Sequence, residues 1–242
     1  MTLPKLDVPI YETTLPSGTK VSFRPFLVKE EKILLMAAQS KDDAAVLKAI
    51  IQILTNCVQE SIKITALPIY DIEFLFLQLR ARSVGEIVDL RYRCNKKDET
   101  GKSCGTSSEY QINMLEIQPT KNPLHNNKIQ LTPQIGVILR PPKFDLVNKF
   151  DKQKDHNAAE FLITMLEDCI ESIFDQDTVY YTKDVPKEEV QQFVDSLNPA
   201  QQKLISQYFE TMPKITYTLH FSCPKCGHKE DIVLQGINHF FK

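Results

Sequence analysis

Two cysteines near the end of the chain, Cys223 and Cys226, have the spacing and the neighbours of a metal-binding knuckle. They stand in the stretch FSCPKCGH, where the glycine after the second cysteine lets backbone amides turn towards its sulfur. A structural Zn²⁺ takes four ligands, so a single pair cannot complete a site. No second CxxC occurs in the 242 residues, and the remaining ligands must therefore come from another spacing.

Cys94 and Cys104 are the expected partners of that pair. Both pairs stand between two runs of alternating apolar residues, which predicts that each lies at the turn of a β-hairpin. The insert NKKDETGKS enlarges the first turn beyond the CxxC form. Thiolates from Cys94, Cys104, Cys223 and Cys226 would surround one metal ion, zinc or iron, and leave no open position for water. The pattern predicts one structural zinc-ribbon-like site.

Two alternatives use the same residues. The four thiols could lie at turns without a ligand, or Cys223 and Cys226 could form a disulfide. The N-terminal residues lack the pattern of a secretory signal, and no apolar run is long enough to span a membrane. We therefore expect a soluble cytoplasmic protein with no membrane contact, where disulfides are disfavoured.

Signatures of catalysis are absent from the sequence. It contains no GxGxxG, P-loop, HExxH or GxSxG pattern, and its 7 glycines are few for a phosphate-binding loop. The carboxylates Glu30, Glu31, Glu188 and Glu189 stand where helices are expected to begin, as solvated helix ends do. We expect a protein that is not an enzyme and has no small-molecule substrate.

Charge separates the two remaining classes, nucleic-acid binding and protein assembly. The chain carries 29 Lys and Arg against 31 Asp and Glu, which disfavours a nucleic-acid binder. Basic residues do surround the cysteines, but acidic residues interleave with them and no aromatic ladder offers a stacking platform. A zinc-ribbon nucleic-acid-binding protein is the alternative to a protein that acts through protein contacts, for which the apolar INHFFK terminus is a candidate surface.

The chain also repeats itself, which predicts halves at 1–120 and 121–242. Each half has a strand pattern ending in Arg-Pro, VSFRP in the first and VILRP in the second. A hairpin and a helix are expected around each pattern, and the helices carry Cys57 and Cys169 at matching positions. Both cysteines are interpreted as buried core residues.

The helical patterns complete the predicted repeat. The first helix is expected over 41–62, with Ser40 and Asp43 as a capping box, and its counterpart over 158–174. Proline-started helices follow from Pro68 and Pro186, and one further helix is expected in the second half. The predicted fold class is α+β, with duplicated units of β-hairpin and helices joined by the four-cysteine site into one compact pseudo-two-fold body.

Three segments carry a family resemblance: LPSGTKVSFRPFLVKEEKILLMAAQS, the helix that contains Cys57, and CPKCGHKEDIVL. Together they resemble the baseplate hub subunit and hub-assembly family of T-even-like contractile-tailed bacteriophages. The resemblance implies a late viral protein that binds other baseplate hub proteins, as an incorporated subunit or as an assembly factor. It implies a location in the host cytoplasm during assembly, with the virion tail baseplate as a further one, and it carries over no catalytic residue.

Overall fold

The computed structural model describes residues 6–40, 42–97, 99–120, 122–146 and 158–236. The predicted INHFFK surface (237–242) and Asp98 of the insert lie outside the described residues. In chain order the elements are β1 (Tyr11–Thr14), β2 (Lys20–Phe23), α1 (Val28–Gln39), α2 (Asp43–Cys57), α3 (Ile69–Val84), β3 (Ile87–Arg93), β4 (Ser107–Asn113), β5 (Lys128–Gln130), β6 (Gly136–Leu139), α4 (Ala158–Cys169), β7 (Ile170–Phe174), β8 (Val179–Tyr181), α5 (Lys187–Asp195), α6 (Pro199–Thr211), β9 (Thr216–Ser222) and β10 (Lys229–Gln235). The predicted α+β class is confirmed.

The chain divides into two compact units. Unit 1 contains Met1–Ile64, Tyr70–Thr120 and Lys214–Lys242, and unit 2 contains Thr65–Ile69 and Lys121–Pro213. The hairpin of β9 and β10 therefore belongs to unit 1, together with the hairpin of β3 and β4. The halves at 1–120 and 121–242 stay a prediction about internal duplication.

Among its described residues, unit 1 contains three two-stranded antiparallel sheets, β1 with β2, β3 with β4 and β9 with β10. Its helices α2 and α3 supply much of the buried apolar surface, because their apolar residues recur at helical spacing. Fully buried examples are Ile50, Ile53, Leu54, Leu75, Phe76 and Leu79.

The start of α2 differs from the predicted capping box. The carboxylate of Asp42 accepts the Ala44 N–H at 3.0 Å and caps the helix. Ser40 instead ends α1, where its hydroxyl donates to the Ala37 carbonyl at 2.7 Å. Since either residue type can cap a helix, the sequence pattern alone did not separate the end of α1 from the start of α2.

Unit 2 is built on a four-stranded antiparallel sheet in the order β5-β6-β7-β8. The predicted helix over 158–174 is wrong beyond Cys169, because Ile170–Phe174 forms β7 and pairs with β6 and β8. The apolar spacing of Ile170 and Ile173 suits a helix, but β-branched residues also suit a strand, and the pairing on both edges decides. The sheet packs against α4, α5 and α6 through Val137, Leu139, Leu166, Ile170, Val194, Ile205 and Tyr208.

Candidate metal centre

Two antiparallel hairpins of unit 1 carry the four predicted ligands. In the first, β3 pairs with β4 in unbroken register from Ile87 opposite Asn113 to Arg93 opposite Ser107. In the second, β9 pairs with β10 from Thr216 opposite Gln235 to Ser222 opposite Lys229. Each hairpin thus ends at its cysteine pair, as the alternating strand patterns predicted.

The two turns share one backbone hydrogen-bond pattern. The N–H of Cys94 donates to the carbonyl of Thr106 at 2.9 Å, and the Gly105 N–H donates to the Cys94 carbonyl at 3.0 Å. The second turn repeats both bonds, from Cys223 to the His228 carbonyl at 2.8 Å and from Gly227 to the Cys223 carbonyl at 3.0 Å. The insert between Cys94 and Cys104 therefore leaves the frame of the turn unchanged.

Both glycines have the left-handed backbone that this turn requires. The φ angles are +68° at Gly105 and +67° at Gly227, a region that favours glycine over residues with a Cβ. In the same two turns, the backbone N–H groups of Lys96 and Lys225 donate to the sulfurs of Cys94 and Cys223. Such donors favour a thiolate over a thiol, which is the form that binds metal.

The four sulfur atoms converge on one point. The Sγ atoms of Cys94 and Cys226 are 3.7 Å apart, those of Cys104 and Cys223 are 3.8 Å apart, and all four lie within 4.8 Å of one another. A tetrahedral ion with Zn–S bonds of about 2.3 Å requires S···S separations of about 3.8 Å. A disulfide would need about 2.05 Å, and all four are free thiols. The arrangement fits one tetrahedral metal ion.

Aromatic side chains hold the two hairpins together beneath the sulfurs. The ring of Phe221 packs edge-on against Tyr92, with centroids 4.7 Å apart, and lies 6.2 Å from the ring of Tyr110. The Tyr110 hydroxyl accepts the Ser222 N–H, and the Tyr92 hydroxyl donates to the Glu230 carboxylate, both at 3.2 Å. Tyr92 and Phe221 each precede a cysteine by two residues and so lie on the same strand face as that cysteine. This spacing was the signal in the sequence that could have identified them.

Burial and hydrogen bonds shift the pKa values of the clustered cysteines in opposite directions. Burial raises the pKa of Cys94 to about 12. The hydroxyl and the backbone N–H of Thr106 lower the pKa of Cys104 to about 6, and the backbone N–H of Cys226 lowers that of Cys223. Four thiolates this close together repel one another, and a divalent metal is the group that would allow them to coexist.

The remaining cysteines and the histidines nearest the cluster are not among its members. Cys57 and Cys169 are fully buried, as predicted, at the C-terminal ends of α2 and α4. His228 contacts the Glu230 carboxylate at 3.6 Å, and His220 lies 2.7 Å from Asp231.

Two arginines of the first hairpin have acceptors within the protein. Arg91 contacts Glu109 at 2.6 Å, and the guanidinium of Arg93 donates to the Gly105 carbonyl at 3.3 Å. These contacts direct the cations towards the protein's own acceptors, which weakens the case for a phosphate-binding surface.

Fold and site together define an α+β protein in which four cysteines lie close enough to hold a metal ion. The chain belongs to the T4 bacteriophage base plate protein family, whose sequence model matches residues 8–242. It is similar to "Baseplate hub assembly protein gp26" of Enterobacteria phage T4, with 24% identity over 237 residues that cover 96% of this chain and 98% of that protein. The resemblance to phage baseplate proteins is thereby confirmed.

No solved structure matches the chain significantly. Among the described residues, no helix is long and apolar enough to cross a membrane.

Proposed function

We propose that this protein takes part in assembly of the phage tail baseplate hub by binding other hub proteins, either as a subunit or as an assembly factor. Its family match over residues 8–242 carries the proposal, and the T4 relative is named as a hub assembly protein. It acts through binding and not through catalysis. It works in the host cytoplasm during assembly, and the virion baseplate is a further location.

The proposal includes one structural zinc ion held by Cys94, Cys104, Cys223 and Cys226. Support comes from the sulfur separations of 3.7 and 3.8 Å and from the amide donors that stabilise thiolates. Four thiolates fill a tetrahedral zinc shell, so the ion would clamp the two hairpins of unit 1 and leave no catalytic position. Metal binding would then be part of the folding free energy of this unit.

We also propose that the chain is internally duplicated. In unit 1 the Arg24 N–H donates to the Cys57 carbonyl at 3.0 Å, and in unit 2 the Arg140 N–H donates to the Cys169 carbonyl at 2.8 Å. The guanidinium groups repeat the match, since they donate to the carbonyls of Asn56 and Asp168 at 3.1 and 2.8 Å.

Chain pairing after each helix is a further match. Val58, directly after Cys57, bridges to Phe23 of β2, and Ile170, directly after Cys169, pairs with Leu139 of β6. Strand, arginine, helix and returning chain thus recur with the same contacts, which supports the predicted repeat.

The function is tested by binding to the hub proteins encoded by the same phage. We would co-express each with the tagged full-length chain and measure recovery of a complex of defined mass. Binding to at least one hub protein, in protein treated with nuclease, supports assembly. Failure to bind any of them, together with salt-dependent retention on DNA or RNA, would favour the zinc-ribbon nucleic-acid alternative.

A further inference from the structure

The four proposed ligands differ in how far solvent reaches them. Cys94 and Cys223, the first cysteines of the two turns, are buried, with 1% and 2% of their surface exposed. The second cysteines differ from each other, because Cys104 is half-buried and Cys226 is exposed. The two turns share one backbone frame, so the side chains around them must account for this difference.

An arginine covers the first turn. The guanidinium of Arg93 donates to the Gly105 carbonyl at 3.3 Å, and a Cβ added to Gly105 would lie 3.2 Å from the same guanidinium. In the second turn the matching position, directly before the first cysteine, holds Ser222, whose side chain is too short to reach across. Among the described residues, a Cβ added to Gly227 would meet no atom within 4 Å apart from its chain neighbours. The surface beside Cys226 is therefore open.

A side-chain donor also distinguishes the two second cysteines. The Thr106 hydroxyl lies 3.4 Å from the Sγ atom of Cys104 and donates to it when the sulfur is a thiolate. The matching residue of the second turn is His228, whose imidazole lies 3.6 Å from the Glu230 carboxylate. A hydrogen-bond donor behind a metal ligand orients and stabilises that ligand. Cys104 has this side-chain support, whereas the matching side chain beside Cys226 contacts a carboxylate.

We propose that Cys226 is the exchange ligand of the metal centre, the sulfur that an incoming thiolate replaces first and at which an electrophile reacts first. This inference rests on the zinc site proposed above. Reaction at Cys226 needs no side chain to move, whereas Arg93 covers the turn of Cys104 and the other two ligands are buried. When Cys226 detaches, three sulfurs from both hairpins remain as ligands, so exchange does not require the hairpins to separate.

Timed alkylation of the full-length zinc-loaded protein tests this order of reaction. N-ethylmaleimide forms a bond between its alkene carbon and a thiolate sulfur, the neighbouring carbon takes a proton from water, and the sulfur becomes a neutral thioether that no longer binds as a thiolate. We would map the modified cysteines by mass spectrometry and follow released zinc with a chromophoric chelator. We expect Cys226 to react about tenfold faster than Cys104, and zinc release to follow the modification of Cys226.

Metal analysis before the reaction separates this inference from the zinc proposal. Protein that holds no zinc would overturn both. Protein that holds zinc, but in which any other ligand reacts as fast as Cys226, would overturn the exchange ligand alone. Cys57 and Cys169 are fully buried internal controls and should stay unmodified while the protein is folded.

Removing the cover of the first turn tests the cause. Arg93→Ser gives both turns the same residue before their first cysteine, and we expect alkylation of Cys104 to accelerate about tenfold, towards the rate of Cys226. Arg91→Ser is the matched control, because Arg91 lies on the same strand face and contacts Glu109, and it should leave the order of reaction unchanged. A Cys104 rate that Arg93→Ser does not change would overturn the proposal that solvent access selects Cys226.

Discussion

The guanidinium of Arg24 lies 3.0 Å from the carboxylate of Glu30, whose side chain is completely buried. The interpretation of Glu30 as a solvated helix end is therefore wrong. The other carboxylate oxygen of Glu30 accepts the Leu27 N–H at 2.9 Å, at the first turn of α1. Arg24 in turn donates to the backbone carbonyl of Asn56. One buried ion pair thus joins the end of β2 to the start of α1 and the end of α2.

Replacing Glu30 by glutamine should destabilise the protein by about 3 kcal/mol, because it leaves a half-buried guanidinium without its counter-charge. The measurement is urea unfolding at pH 7 with an unchanged m-value. Glu31→Gln, at an exposed neighbouring position, is the control and should have an effect within about 0.5 kcal/mol.

The same ion pair predicts a pH dependence. Burial acts to raise the pKa of Glu30, but the hydrogen bond from Arg24 and the Leu27 N–H outweigh it and lower the pKa below the ordinary value. The stabilisation is therefore complete above the unfolded-state pKa and is lost as pH falls through the lower folded-state pKa. The Glu30→Gln variant should lack this part of the acid destabilisation, and an identical acid profile in both proteins would contradict the assignment.

Removing one proposed ligand should abolish metal binding. We expect Cys223→Ser to lose the single zinc ion and the thiolate-to-metal absorption that Co²⁺ substitution produces. Cys169→Ala removes a buried thiol of unit 2 and should keep full metal content, although it leaves a small cavity. Metal analysis and cobalt spectra of protein purified under reducing conditions decide between the two outcomes. Wild-type protein that binds no metal would exclude the site.

Asp71 should destabilise the protein as pH rises. One oxygen accepts the Ser17 N–H at 3.0 Å, the other has no hydrogen-bond partner among the described residues, and burial raises the pKa of this carboxyl. The unfolded chain loses the proton first, so stability declines from the ordinary carboxyl pKa up to the raised one. Asp71→Asn keeps an acceptor for Ser17, and its stability relative to the wild type should increase across that window in thermal melts.

Asp71→Ala is the matched comparison for that variant. It also removes the charge, but it leaves the Ser17 N–H without its acceptor and should cost about 1–3 kcal/mol. Equal stability of the asparagine and alanine variants would show that the hydrogen bond contributes nothing.

Gly136 should not tolerate alanine. An added Cβ would lie 2.2 Å from the Phe174 ring and 2.7 Å from the Ile129 carbonyl oxygen. We expect Gly136→Ala to cost about 3 kcal/mol in chemical unfolding, since β5 and β7 must both move. Adding Phe174→Leu removes the ring but not the carbonyl contact, and the double variant should recover only part of the loss. Full stability of the single variant would contradict the packing of this sheet.

Local patterns in the sequence were enough for several elements. The Asn-Pro signal correctly places α6. There the Asn198 side chain accepts the Gln201 N–H, and the Gln201 side-chain oxygen accepts the Asn198 N–H. The alternating runs correctly place β3 and β9, and each leads into its cysteine pair. These features depend on residues close in the chain, so the hydrogen bonds and side-chain periodicity that define them are visible in the sequence.

Long-range pairing decided the rest. Ile170–Phe174 continues the apolar spacing of α4, yet it forms β7 because β6 and β8 satisfy its backbone on both edges. Likewise, the sequence by itself identified the four cysteines and predicted that each pair lies at the turn of a β-hairpin. Tertiary contacts such as the packing of Phe221 against Tyr92 bring the Sγ atoms of Cys94 and Cys226 to 3.7 Å, across 132 residues of chain. Spacing determined which residues could bind a metal, whereas tertiary contacts determined that they meet, because no local interaction links the two hairpins.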